Sequence, residues 1–225
     1  MLGTLVNTAT VLVGSTIGLT IGPWLPARLK TTLMKCLGLA TMVIGLDMAL
    51  AGRQRLLKAI SCLLLGGILG EGLAIEQRLN RLGEWLNQRL RIGTGCFTEG
   101  FVTATLLYLT GAMTLVGSIR DGTVGDHSLL FLKALLDGVA SIALASSLGI
   151  GVLFSALSVL LVQGGITLLA SQLLFLSEPA VLTTVDTTGG ILILGIGINL
   201  LELGHVPVGN LLPALFCAII AALVL

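Results

Sequence analysis

The sequence predicts an all-α, polytopic membrane protein of about eight transmembrane helices, with an inverted three-helix repeat (spans 1–3 and 6–8) and one interfacial amphipathic helix. Three observations carry this. First, 55% of the 225 residues are apolar, only 10% are charged, and mean hydropathy is +1.07, whereas a soluble domain carries roughly 25% charged residues. A soluble fold of this size cannot hide so much apolar side chain, because much of its surface still faces water. Second, apolar runs of bilayer length recur from end to end. Third, thirty glycines stand against 4% aromatic residues, a composition suited to helices packed at backbone distance. A net charge of +1 supplies no basic field, which sets nucleic acid aside as a partner.

A bilayer core takes roughly 20 apolar residues per helix. Apolar runs between charged or Pro/Gly punctuation fall at residues 4–22, 33–50, 56–73, 101–119, 129–148, 150–174, 181–203 and 208–225. No positive segment precedes the first run and no cleavage signal follows it, so residues 1–22 read as a retained span rather than a signal peptide. Spans five and six are separated only by the neighbourhood of Gly149 and Gly151, which fits one broken element or a tight hairpin. Residues 76–91 differ from the rest. They place Leu79, Leu82, Leu86 and Leu90 on one helical face with Trp85 beside them, and Arg78, Arg81, Glu84 and Arg89 elsewhere. That pattern fits a helix lying in the membrane interface, or a solvated linker helix on the protein's own surface. The chain is then one transmembrane domain: 1–75 the first repeat, 76–98 the interfacial helix and linker, 99–148 the central spans, 149–225 the second repeat.

Lys and Arg sort by side. Arg28, Lys30, Lys35, Arg78, Arg81, Arg89 and Arg91 flank the odd-numbered loops, against Arg53, Arg55, Lys58, Arg120 and Lys133 on the other side. By the positive-inside rule this bias places both termini outside.

The repeat rests on an ungapped match of Thr31-Thr32, Gly38 and Ile44-Gly45-Leu46-Asp47 with Thr183-Thr184, Gly190 and Ile196-Gly197-Ile198-Asn199. After a short shift, the run from Leu56 to Cys62 matches the run from Leu211 to Cys217. Spans one and six share Gly14 with Gly164, and Pro26 with Pro179. Chance similarity among apolar helices is the competing explanation. Copies five helices apart run in opposite directions, the arrangement of many secondary transporters and of some channels.

Several residues could carry chemistry. Gly14, Gly18 and Gly22, and likewise Gly66 and Gly70, recur every fourth residue and suit close helix packing, within the chain or between copies in a homo-oligomer. Gly189, Gly190, Gly195 and Gly197, preceded by Thr183, Thr184, Asp186, Thr187 and Thr188, suggest a helix with a frayed first part that lines a site, or a loop before a shorter helix. Asp137, inside span five with Gly138, Ser141, Ala145 and Ser146 following, is the deepest acid. It lines a polar cavity or pairs with Lys133 one turn earlier. Asp47 and Asn199 occupy matching repeat positions at opposite depths, as two gates or two packing pins. Asn7 can bond another helix, and Thr103, Thr110 and Thr114, with Gly111 and Gly117 nearby, line one face of span four. Glu71, Glu99 and Glu202 read as interfacial anchors, and the run from Arg120 to His127 as two glycine turns.

The four cysteines lack C-x-x-C spacing and read as small buried hydrophobes, and His127 and His205 lie apart from one another and from every cysteine, so no metal site is expected. No nucleophile, His and acid cluster or H-E-x-x-H spacing points to an enzyme, and nothing calls for a cofactor.

Gly3-Thr4-Leu5-Val6-Asn7, the segment from Gly66 to Gly70 followed by Glu71, and Phe101-Val102-Thr103-Ala104-Thr105-Leu106 resemble the YqgA/YdfK family of uncharacterised bacterial membrane proteins, a domain of unknown function. So do Gly125-Asp126, Lys133 with Asp137-Gly138, Leu148-Gly149-Ile150-Gly151-Val152 and Asn210-Leu211-Leu212-Pro213. The resemblance spans essentially the whole chain and implies a multi-helix protein of the bacterial inner membrane, with no substrate attached. Where the family pattern carries a glutamate before its Thr and Gly residues, this chain has Asp186. The expected function is a small-solute or ion transporter, coupled to protons or sodium, with a polar site between the repeats. The alternative is a non-transporting membrane scaffold or regulator.

Overall fold

Helices that are apolar on every side have no single oily stripe to turn inward, so small and polar residues decide which face is inside. On the first helix Leu5, Val13 and Ile17 point outward, while Gly3, Thr4, Asn7, Val11, Gly14 and Gly18 are buried. The same inversion recurs throughout. The structure, a computed structural model, describes residues 1–90, 96–110 and 112–224. Arg91 and Gly111 lie outside the described residues, as does Leu225 at the end of the last expected span.

The elements are α1 (Leu2–Ile21), α2 (Ala27–Ala51), α3 (Leu56–Gly72), α4 (Ile75–Leu90), α5 (Phe97–Leu109), α6 (Ala112–Thr123), α7 (Ser128–Leu148), α8 (Gly151–Leu168), α9 (Pro179–Leu200), α10 (Val208–Leu211) and α11 (Pro213–Val224). There is no strand among the described residues. Five helical segments, those of α1, α2, α7, α8 and α9, are long and apolar enough to cross a membrane. Two bent pairs, α3 with α4 at 55° and α5 with α6 at 63°, bring the number to seven if each is one span, and α10 with α11 forms a shorter apolar segment.

Four helix pairs build the bundle, and the residues they bring together give their directions. Gly14 and Gly18 of α1 meet Gly138 and Ile142 of α7, so α1 and α7 run parallel. Gly151 meets Phe97 and the Thr105 hydroxyl bonds that of Ser158 at 3.2 Å, so α5 and α8 also run parallel. The α2–α9 pair is antiparallel: a Cβ at Gly45 would lie 2.7 Å from the Gly190 carbonyl oxygen, and one at Gly197 would lie 3.2 Å from that of Gly38. In the antiparallel pairing of α3 with α10–α11, Gly66 meets Ala214 and Gly70 meets Asn210.

The structure corrects several expectations. Residues 101–119 are not one straight helix, because α5 stops at Leu109 and Thr110 turns extended (φ −84°, ψ 127°). Residues 179–200 are not frayed. The hydroxyls of Thr183, Thr184, Thr187 and Thr188 donate back to carbonyls four residues earlier at 2.7–2.8 Å, and Gly190 packs on α2, so the helix stays continuous. Spans five and six form a tight turn at Gly149 (φ +79°), a left-handed conformation that glycine adopts without strain. Span six ends at Leu168 rather than 174, before a short turn at Leu174–Ser177. Of the cysteines only Cys62 is buried, while Cys36 and Cys96 are exposed and Cys217 is intermediate. On α4, Leu79 and Leu86 are half-buried beside α5, leaving Leu82 and Trp85 exposed.

Gly18→Leu should destabilise the bundle by about 1–3 kcal/mol or more through overpacking, because its Cβ would strike the Ile142 carbonyl oxygen. Gly165→Ala, with nothing within 4 Å of its Cβ, should be neutral or slightly stabilising. Thermal unfolding in detergent measures both, and equal stability of the two variants would mean that the α1 glycine face is not a backbone contact.

Candidate functional site

Each helix of the α1–α7–α8 group turns a polar residue inward, and together they make one network. Lys133 Nζ donates to Asp137 Oδ2 at 2.5 Å. The two amide hydrogens of Asn7 reach Asp137 Oδ2 at 3.1 Å and Gln163 Oε1 at 2.9 Å. Gln163 Nε2 donates to Thr4 Oγ1 at 3.3 Å, and the Thr4 and Thr167 hydroxyls lie 3.1 Å apart. On the other side Ser141 donates to the Asp137 carbonyl at 2.7 Å and meets the Tyr108 hydroxyl of α5 at 2.8 Å. Asn7, Gln163, Thr4, Tyr108 and Ser141 are fully buried; Lys133 is 6% exposed and Asp137 7%.

An isolated charge withdrawn from water costs several kcal/mol, and pairing with further hydrogen bonds offsets it. Here one carboxylate oxygen takes both the ammonium and an amide. One acceptor is left over: Asn7 Oδ1 is buried and has no hydrogen-bond partner.

The break between α5 and α6 lies at the same level. Gly117 packs on Leu130 and Tyr108 bonds Ser141, so the two arms of the break lie antiparallel against α7 at points on either side of Asp137. Two threonines satisfy carbonyls at the break: Thr110 donates to the Leu106 carbonyl at 2.6 Å and Thr114 to that of Tyr108 at 3.2 Å. Interrupted helices inside an apolar layer are tolerated where protein or a cavity receives the freed backbone groups.

Among the expected site residues, Asn7, Asp137 and Ser141 therefore come together, while Thr110 and Thr114 lie at the α5–α6 break and bond backbone carbonyls there. The others do not join them. Asp47 is exposed on α2. Asn199 clasps the turn after α9, donating to the Val206 carbonyl at 2.8 Å and accepting its N–H at 2.7 Å. Thr184 bonds its own helix and receives Arg55 at 3.4 Å, and Asp186 is half-buried on the same helix. In the α6–α7 turn the carboxylates are already engaged: Asp121 by Gly3 N–H and His127, Asp126 by Ser128 N–H and Arg120. The Ser128 hydrogen bonds hold the exposed Asp126 carboxyl below the usual range.

Gln163, Thr167 and Tyr108 were not anticipated as site residues. Gln163 carried a readable signal, a single carboxamide inside an apolar run. A second polar region, a crevice of about 520 Å³, lies where α9 ends and is lined by Glu76, Glu99, Thr103, Asn199, Glu202 and His205. Nearby Asn210 joins α10 to the α3–α4 bend, donating to Glu71 at 2.6 Å and accepting Glu76 N–H at 2.8 Å.

The profile of DUF554, a protein of unknown function, matches residues 2–223. The chain belongs to the DUF554 family. It is similar to the uncharacterized membrane protein YdfK of Bacillus subtilis (strain 168), 30% identical over 218 residues covering 96% of this chain and 93% of YdfK. It is also similar to the uncharacterized protein YqgA of Escherichia coli (strain K12), 27% identical over 223 residues covering 97% and 94%. No solved structure matches it.

Asp137→Asn should cost about 3–5 kcal/mol, because it strands the Lys133 ammonium away from water. The paired change Lys133→Met with Asp137→Asn should recover most of that loss. A double-mutant cycle by thermal or denaturant unfolding in detergent measures the coupling, and additive effects would mean that the pair is not formed.

Proposed function

We propose that this member of the DUF554 family transports a small solute or ion through an eight-span bundle, with the Asp137 cluster as the polar site between two inversely related halves. The observation that carries this reading is the meeting, at one level of the bundle, of the buried Lys133–Asp137 pair, the buried amides of Asn7 and Gln163, and the broken α5–α6 element. Ionisable groups inside an apolar layer mark ion or substrate paths, and interrupted helices mark transporter sites.

The helix directions support eight crossings. With α4 lying at one face, a chain that alternates through α1, α2, α3, α5–α6, α7, α8, α9 and α10–α11 makes α1 parallel to α7, α5 parallel to α8, and α2 antiparallel to α9, as their contacts run. The inverted repeat draws support from the crosswise glycines. Gly38 corresponds in sequence to Gly190, and Gly45 to Gly197; Gly45 packs on Gly190 and Gly197 on Gly38, the exchange a two-fold axis between α2 and α9 produces. Cys62 and Cys217, matched in sequence, share one apolar cluster. Lys133, being paired inside the bundle, drops out of the loop charges on its side, which strengthens the bias for both termini outside a bacterial inner membrane.

A scaffold is the second reading, favoured by the fact that the same network pins α1, α5, α7 and α8 together. Vesicles reconstituted with the protein and loaded with a cellular metabolite extract separate the two. The wild type should change the retention of at least one solute by mass spectrometry, and the Lys133→Met/Asp137→Asn protein should behave as empty vesicles do. Identical retention by wild type, paired variant and empty vesicles would favour the scaffold.

A further inference from the structure

We propose that the coupling ion is a proton taken up by Asp137, with Lys133 as a built-in counter-cation that leaves no place for sodium; the coupling, though not the proton site, rests on the transport reading above. The hydrogen-bond chain supports this. Its members beyond Asp137 are two carboxamides and two hydroxyls, Asn7, Gln163, Thr4 and Thr167, and each can serve as donor or acceptor. In the paired state Asn7 donates to the carboxylate and to Gln163, which leaves Asn7 Oδ1 as a buried acceptor without a donor.

One proton from water adds to an Asp137 carboxylate oxygen and makes it a carboxylic acid, with no other covalent bond changed. The new O–H then needs an acceptor, and Asn7 offers one when its amide turns over. Gln163 turns with it, donating to Asn7 and accepting from the Thr4 hydroxyl, so the chain from Asp137 to Thr4 reverses polarity, and the Asn7 amide nitrogen takes the place of the oxygen that had no partner. The cluster gains one positive charge, carried by Lys133. That side chain sits five residues into α7, about 7.5 Å along the axis from its start, and a long ammonium side chain can reach for water from there.

Sodium fits poorly. It must be wrapped by several oxygens that replace its water shell, whereas Gln163 Oε1, Ser141 Oγ and Tyr108 Oη are engaged with protein partners and one oxygen of Asp137 holds Lys133, which leaves Asn7 Oδ1 and the other Asp137 oxygen, too few to replace that shell. The groups facing Asp137 are Lys133 from its own helix, Asn7 from α1, Gln163 beyond Asn7 from α8, and Tyr108 of α5 through Ser141. Asp121 binds His127 and the start of α1, and of the charged side chains of α2, Arg28, Lys35 and Asp47 are exposed and Lys30 is half-buried.

Infrared difference spectra of the full chain in lipid nanodiscs, titrated with pH in sodium chloride and in choline chloride at equal ionic strength, test the assignment. Among the carboxyl protonations of the wild type, one should be lost in Asp137→Asn and in the Lys133→Met/Asp137→Asn protein, the latter guarding against a folding defect in the single variant. Its midpoint should be the same in sodium and choline, and Lys133→Met should bind the proton at least tenfold more tightly. A spectrum unchanged by the Asp137 substitutions at every pH would overturn the proposal. So would a proton affinity that falls tenfold with each tenfold rise in sodium, the mark of competition for one site. The expected titration with a failed vesicle experiment would uphold proton binding and retire transport; sodium competition with working flux would do the reverse.

Discussion

An ammonium and a carboxylate almost wholly withdrawn from water cannot be left apart, and the placement of four helices follows from keeping Lys133 and Asp137 together. The pair alone does not satisfy its own hydrogen-bonding capacity. Asn7 must arrive from α1 to bond the carboxylate, and Gln163 from α8 to accept the second amide hydrogen. Ser141 and Tyr108 then tie α5 to the same point. In a bundle whose lipid-facing and buried surfaces are equally oily, such a network selects one packing among many, since apolar contacts alone discriminate weakly between helix faces there.

The glycines make that network reachable. Side chains as short as Asn and Asp can hydrogen-bond between helices only when the backbones nearly touch, and Gly14, Gly18 and Gly22 bring α1 onto α7 close enough for Asn7 to meet Asp137. The same principle closes α2 on α9. The broken α5–α6 element completes the arrangement, because Thr114 takes up the Tyr108 carbonyl at the break. A rearrangement at Asp137 would therefore be felt on four helices.

Much of this was legible in the sequence. Composition and apolar run lengths pointed to a membrane bundle, and the four-residue glycine spacing pointed to close packing, because both signals are local and additive. Asp137 and Asn7 stood out as polar residues in apolar runs, although their partnership is a long-range contact that no local pattern encodes. Gln163 carries the same signal as Asn7, a carboxamide in an apolar run, whereas Tyr108 carries none, because a tyrosine in a span ordinarily reads as an interface anchor. The threonine and glycine run from Thr183 to Gly190 misled for a physical reason: poor helix formers predict fraying in water, whereas inside a bundle back-bonded hydroxyls and a glycine contact hold the helix straight. The break at Thr110 had no breaker on its sequence strong enough to announce it.

Water access to the Asp137 level tests the central claim most directly. In a chain with its four native cysteines replaced, Thr110→Cys should react with a small, charged, membrane-impermeant thiol reagent in vesicles. Leu135→Cys, on the outward face of the same bundle at 64% exposure, should be shielded by lipid. Protection of Thr110→Cys as complete as that of Leu135→Cys, with reagent on either side of the membrane, would contradict a solute path through this cluster.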